Sequence, residues 1–146
     1  MKIYFAWSIR WWRELRDVYM EMIEYMRQYG EVLTEHVGNK YLSDMWEKMS
    51  SREIYDRDMA RLSSADVIVA DVTVTSLGVW YELGSAVEQK KPILCLYKPE
   101  EGKSLSAMID GSPWIVVRNY QTLDEAKWHI KEFLSVIAIR LGGEAI

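Results

Sequence analysis

The sequence predicts an α/β fold: one domain, residues 1–146, with a five-stranded, mostly parallel sheet covered by helices on both faces. Three observations lead there. Five short apolar runs rich in β-branched residues alternate with segments of helical period. Those runs are apolar at consecutive positions, as in strands buried on both sides. The chain of 146 residues, 49% hydrophobic and 27% charged, is long enough for one core and has no repeat, low-complexity stretch or linker.

The elements follow in order. Lys2 to Trp7 reads as a first strand. A helix then carries Trp11 or Trp12, Leu15, Val18, Tyr19, Met22, Met26 and Tyr29 at helical spacing, and Gly30 stops it. Glu31 to Val37 is a second strand. Residues 38–50 form a loop with at most one short helix around Met45, Trp46 and Met49. A helix from about Ser51 to Ser63 turns Ile54, Met59 and Leu62 inward. The third strand is the run from Asp66 to Val72. A helix follows in which Val79, Leu83, Ala86 and Val87 make one apolar stripe, with Thr75 or Ser76 as its N-cap. Pro92 to Tyr97 is the fourth strand, residues 103–112 a loop or short helix, and Trp114 to Arg118 the fifth strand. The last helix, Thr122 to Leu141, turns Leu123, Ala126, Ile130, Phe133, Leu134 and Ile137 inward.

Right-handed crossovers leave few topologies, and the order 2-1-3-4-5 of a flavodoxin-like or Rossmann-like sheet is common at this size. Such sheets bind ligands beyond the carboxyl ends of their strands, where the order reverses. The rule selects Trp7 to Arg10 after strand 1 and Asp71 to Ser76 after strand 3. Glu82 lies beside the stripe of the helix that follows, and helical side chains lean toward the N-terminus. It is therefore aimed back at the crevice, half against apolar wall, as a nucleophile or a base; the plain alternative is a solvated helix glutamate. Ser8 and Arg10 stand where a helix begins and offers unpaired N–H groups to an anion. Arg10, Arg13 and Arg16 form either a phosphate-binding ridge or an exposed ridge paired with Glu14 and Asp17. Asp58 can face the crevice while Asp56 faces water. His36 either orients a carboxylate or is structural, and His129 belongs to the surface.

A net charge of −4 argues against binding a nucleic-acid polymer. No apolar stretch is long enough to span a membrane, and Met1-Lys2 leads straight into a strand without a leader. The single Cys95, inside an apolar run, reads as an inert buried thiol and suits a reducing, cytoplasmic setting. No Cys/His cluster has metal spacing, so no metal is expected. Neither phosphate-loop nor dinucleotide glycine motif occurs, which argues against ATP and dinucleotides.

Four separated segments carry a resemblance: Met1 to Arg10 (MKIYFAWSIR), Leu33 to Val37 (LTEHV), Ser76 to Gly84 (SLGVWYELG) and Leu105 to Ile109 (LSAMI). They resemble, in order and over nearly the whole chain, the 2′-deoxynucleoside 5′-phosphate N-hydrolases, relatives of the nucleoside 2-deoxyribosyltransferases. The resemblance implies cleavage of the base–sugar bond of a deoxynucleoside 5′-monophosphate, without a cofactor. It implies Glu82 as the nucleophile, Asp58 as its acid/base or orienting partner, and Tyr4 close to both. Ser8, Ile9, Arg10, Ser76 and Gly78 would surround sugar and phosphate. Ser106 would reach the phosphate from the neighbouring subunit of a homodimer or larger homo-oligomer. The surplus of Met, Trp and Tyr at Tyr19, Met22, Met45, Trp46 and Met49 would suit that interface. The motif P-G-G-x-G-T-x-x-E of the phosphoribohydrolases is absent.

Where the family pattern reads F-x-G-S-I-R-G-G and S-L-G-V-G-Y-E, this chain has Trp7, Trp11, Trp12 and Trp80 at the glycines. Glycine lets backbone approach a ligand, whereas an indole fills space. Four such changes in one crevice read as engineering, and the indoles would fill or reshape it. The rival reading is a non-catalytic protein whose Trp-lined crevice holds a planar ligand or plugs itself. Packing into the core is a fair alternative for Trp11 and Trp12, less so for Trp7 and Trp80.

Overall fold

Strand β1 (Lys2–Ala6) is an interior strand of the sheet with four of its five residues buried, so helices must cover it on both sides. The computed structural model describes residues 1–8, 12–33 and 48–143, with the side chains of 12–14 excepted. After β1 come α1 (Trp12–Met26), β2 (Glu31–Val32), α2 (Ser51–Ser64), β3 (Val67–Asp71), α3 (Leu77–Glu88), β4 (Ile93–Tyr97), α4 (Ala107–Asp110), β5 (Val116–Asn119) and α5 (Leu123–Arg140). The sheet order is β2-β1-β3-β4-β5, every neighbouring pair parallel, as the alternation of strand and helix predicts.

The period-2 alternation of β1 divides the core. Ile3 and Phe5 join Val67, Val69, Leu94 and Leu96 beneath Tyr19, Met22 and Met26 of α1 and Ile130 and Leu134 of α5. Tyr4 and Ala6 face the other way, with Ile68, Ala70 and Cys95, beneath Leu62 of α2 and Val79, Leu83 and Ala86 of α3.

Local chemistry sets the element ends. A Cβ on Gly30 would stand 2.1 Å from the Met1 carbonyl oxygen, so only glycine lets the chain pass there into β2. Ser50 and Glu53 form a capping box on α2, and Thr122 and Glu125 do the same for α5.

Several boundaries differ from expectation. Helix α1 ends at Met26, with a turn over residues 27–29 before Gly30. Strand β2 comprises Glu31–Val32, although Leu33 N–H still donates to the Ile3 carbonyl at 2.7 Å. Residues 34–47 lie outside the described residues, and with them the rest of the expected second strand, His36, Met45 and Trp46. Strand β5 starts at Val116 rather than Trp114, whose N–H instead donates to Ser112 Oγ at 3.3 Å while its indole is 70% exposed. On α2 only Leu62 is fully buried. Ile54 and Met59 are half-buried, because the inner face of this helix also carries Arg57 and Asp58.

Candidate active site

The third helix begins where Ser76, in extended conformation, accepts a hydrogen bond from Val79 N–H at 3.4 Å. With Val79, Leu83 and Ala86 against the sheet, Glu82 beside that stripe is half-buried and turned toward β1. Tyr4 comes up from the same face of the sheet, and its hydroxyl donates to Glu82 Oε1 at 3.0 Å. From α2, Asp58 faces both closely enough for its charge to act on each of them. Asp58 is itself held from one side: its Oδ1 lies 2.9 Å from Arg57 Nε and 3.9 Å from Arg61 Nη1. Asp56, two residues earlier and on the opposite, exposed side of α2, pairs with exposed Arg52 at 2.7 Å.

Burial dominates the electrostatics. Desolvation lifts the Glu82 carboxyl to about 7; the Tyr4 hydrogen bond works against that rise and the Asp58 charge adds to it. Burial, then the charges of Glu82 and Asp58, push the Tyr4 hydroxyl far above its ordinary range, so it remains a donor at every working pH. One carboxyl balanced between its two forms near neutrality, beside a second held by arginines, is an arrangement suited to nucleophilic or acid–base work.

A second polar cluster sits across the sheet, at the carboxyl end of β3. Asp71 is 1% exposed and accepts from Tyr120 Oη at 2.7 Å, Tyr19 Oη at 3.3 Å and Thr73 N–H at 3.1 Å. Burial outweighs these donors and raises the Asp71 carboxyl above the usual range.

The remaining expected residues divide as follows. Ser8 is buried just past β1. Gly78 stands exposed in the first turn of α3, where an added Cβ would meet only Ser76 Oγ at 3.8 Å, so the space there is open. Ser106 caps the short α4, its hydroxyl accepting from Met108 N–H at 3.3 Å. The Trp7 ring stands 5.2 Å from Phe5 and 6.1 Å from Tyr19, on the face of the sheet opposite Tyr4. Trp80 is half-buried against the cluster that contains Tyr4. Trp12 opens α1, and Ile9, Arg10 and Trp11 lie outside the described residues. Tyr19 and Met22, expected at an interface, are 1% and 0% exposed inside the chain's own core, because α1 turns them onto the sheet.

Sequence reasoning missed the arginines of α2 and the tyrosines around Asp71. The (i, i+3) spacing of Asp58 and Arg61 was a usable signal for the first. Nothing local links Asp71 to Tyr19 and Tyr120, 52 and 49 residues away. Among the described residues no group of three or more His, Cys, Asp or Glu could hold a metal ion, and no helix is long and apolar enough to cross a membrane.

A doubly wound parallel sheet in the order β2-β1-β3-β4-β5, carrying a half-buried Glu82–Tyr4 pair, defines the class: a flavodoxin-like α/β protein. Residues 3–130 match the family described as nucleoside 2-deoxyribosyltransferase, and the chain belongs to that family. It is 45% identical over 140 residues to a 5-hydroxymethyl-dUMP N-hydrolase of Tetraodon nigroviridis, covering 92% of this chain and 98% of the relative. A 5-hydroxymethyl-dUMP N-hydrolase of Danio rerio is 46% identical over 141 residues, covering 94% of this chain and 98% of that one. The fold is shared with the solved CMP N-glycosidase of Clostridium botulinum at a TM-score of 0.67 and 17% identity, over 91% of this chain and 99% of that one.

Proposed function

We propose that this chain is an N-glycosidase that hydrolyses the base–sugar bond of 2′-deoxynucleoside 5′-monophosphates, releasing free base and deoxyribose 5-phosphate. The observation that carries the reading is the Tyr4–Glu82 hydrogen bond of 3.0 Å with Asp58 in electrostatic range. The kinship with N-hydrolases of deoxynucleotides supports the substrate class. In this reading a Glu82 carboxylate oxygen attacks the anomeric carbon as the C–N bond breaks, and the electron pair leaves with the base. Asp58, when protonated, supplies a proton to the base; when ionised, it takes one from the water that later opens the sugar–Glu82 ester. Tyr4 steers the attacking oxygen and steadies the charge on Glu82 between turnovers. Ser8, Ile9, Arg10, Ser76 and Gly78 surround sugar and phosphate, the open space over Gly78 giving a phosphate room to approach backbone N–H groups. No cofactor enters this chemistry. The test is liberation of free base from deoxynucleoside monophosphates by the purified protein, followed by chromatography.

The attacking form is the carboxylate, so ionisation of Glu82 should give kcat/KM an ascending limb of about tenfold per unit as pH rises toward 7. Asp58 raises the Glu82 value, so Asp58→Asn should move that limb to lower pH whatever it does to the maximal rate. A pH–rate profile of both proteins decides; an unmoved limb would detach it from Glu82.

The active form is proposed to be a homodimer or larger, with Ser106 reaching a neighbour's phosphate. Exposed Leu77 (84%), Tyr81 (55%) and Met108 (81%) suit a covered surface. Sedimentation at micromolar concentration should give a dimer mass, and a monomer throughout would remove this assignment. A reducing, cytoplasmic setting is proposed from Cys95, whose buried thiol is pushed up to about 12 and is thereby inert. The four tryptophans at family glycine positions are read as introduced changes, and Trp80, packed against the Tyr4 cluster, is the one among the described residues that restricts the crevice.

A further inference from the structure

We infer that Asp71 is a positioning residue, clamping the turn between β3 and α3 so that Ser76 and Gly78 are presented to the substrate. The inference rests on the glycosidase reading for what is presented. Its geometry is independent of that reading.

The Asp71 carboxylate terminates β3 and is wholly enclosed, yet it is fed by three separate parts of the chain. Tyr19 approaches from α1 and donates at 3.3 Å. Tyr120, from the connection between β5 and α5, donates at 2.7 Å. Thr73, two residues into the turn, donates its N–H at 3.1 Å and also its hydroxyl. The Thr73 hydroxyl oxygen in turn accepts from Lys98 N–H at 3.0 Å, tying the turn to the end of β4. Tyr120 N–H donates to the Tyr97 carbonyl at 3.0 Å, which anchors the far side. The carboxylate is therefore the common node of α1, the β3–α3 turn, the end of β4 and the β5–α5 connection.

A buried carboxyl is a costly way to hold a fold, since an apolar residue of like volume packs there without desolvation. What it gives in return is direction. Three or four hydrogen bonds converging on two oxygens fix the angle at which the chain leaves β3. From Thr73 only two residues lead to Ser76, the N-cap of the helix that carries Glu82. A turn free to shift by about an ångström would displace binding groups by a distance that matters for affinity. Asp71 touches neither Glu82 nor Tyr4, which lie on the opposite face, so loosening it should weaken binding more than it slows chemistry.

The experiment compares the parent with Asp71→Asn, Tyr120→Phe and the double variant. Both single changes keep shape, and Tyr120→Phe leaves Asp71 itself in place. KM and kcat are measured on a deoxynucleoside monophosphate, thermal melting reports folding, and hydrogen exchange reports the amides of residues 72–78. Expected are a KM about tenfold higher with kcat within about threefold, and faster exchange at 72–78 while β1 and the rest of β3 keep their protection. The double variant should be no worse than the worse single one, because both changes act through one carboxylate. Unchanged KM with unchanged exchange would overturn the inference, and so would a fall in kcat at constant KM. A lowered melting temperature with KM and turn exchange both unmoved would reduce Asp71 to a structural role and overturn it as well. Absence of turnover in the parent would sink the glycosidase reading alone, since the exchange comparison still decides whether Asp71 holds the turn.

Discussion

Glu82→Ala is expected to lower deoxynucleotide hydrolysis by at least about a thousandfold, because the step it removes is the attack itself. Glu82→Gln should do nearly as much, since an amide keeps an acceptor for the Tyr4 hydroxyl but cannot form the glycosyl ester. The two variants should part company in stability. The folded protein holds the Glu82 proton with a pKa of about 7 against the ordinary 4.5. A raised acid contributes stability below the lower value and loses it as pH rises through the upper one, so ionised Glu82 costs the fold something above pH 7. Complete ionisation of a shift that size corresponds to at most about 3 kcal/mol. Glu82→Gln should therefore melt at a higher temperature than the parent at pH 8.5, with little difference at pH 4. A nearly active glutamine variant would remove Glu82 from the mechanism, and a melting difference independent of pH would remove the titration argument.

Replacing Trp7, Trp11, Trp12 and Trp80 together by glycine is expected to raise kcat/KM at least about a hundredfold. Two added phosphate hydrogen bonds, at roughly 1.5–3 kcal/mol each, would supply that factor. The fold divides the expected costs. Trp7 packs on Phe5 and Tyr19, so Trp7→Gly alone should lose on the order of 3 kcal/mol through the void it leaves. Trp80 lies within α3, where glycine costs about 1 kcal/mol in helix propensity besides its lost packing against the Tyr4 cluster. The gain in activity should therefore follow Trp80→Gly more than Trp7→Gly. Assays of the fourfold and the two single variants beside the parent are the measurement. Equal activity in all of them would mean that the indoles do not restrict the crevice.

Much of this protein was written locally. A run such as Val67 to Asp71 can be little other than a strand buried on both faces, and the stripe Val79, Leu83, Ala86 announces a helix packed on it. From alternation and crossover handedness came the strand order. Glu82 was legible because its place beside an apolar stripe follows from helical period alone. Tyr4 and Asp58 came with it through motif likeness.

The tertiary structure decided what no local rule reaches. Strand parity sends Trp7 to the Tyr19 side of the sheet and Tyr4 to the Glu82 side, and three residues of sequence cannot announce which face a helix will cover. Tyr19 and Met22 looked available to a partner, yet α1 spends them on its own core, since burial is a property of the assembled layers rather than of composition. The Asp71 cluster is the clearest case. Its hydrogen bonds join residues about fifty apart, and only the closing of the sheet and its covering helices brings two tyrosines to one carboxylate. Periodicity reports which residues must leave water; which polar groups then meet inside depends on the full set of packing distances, and the chain acquires those only on folding.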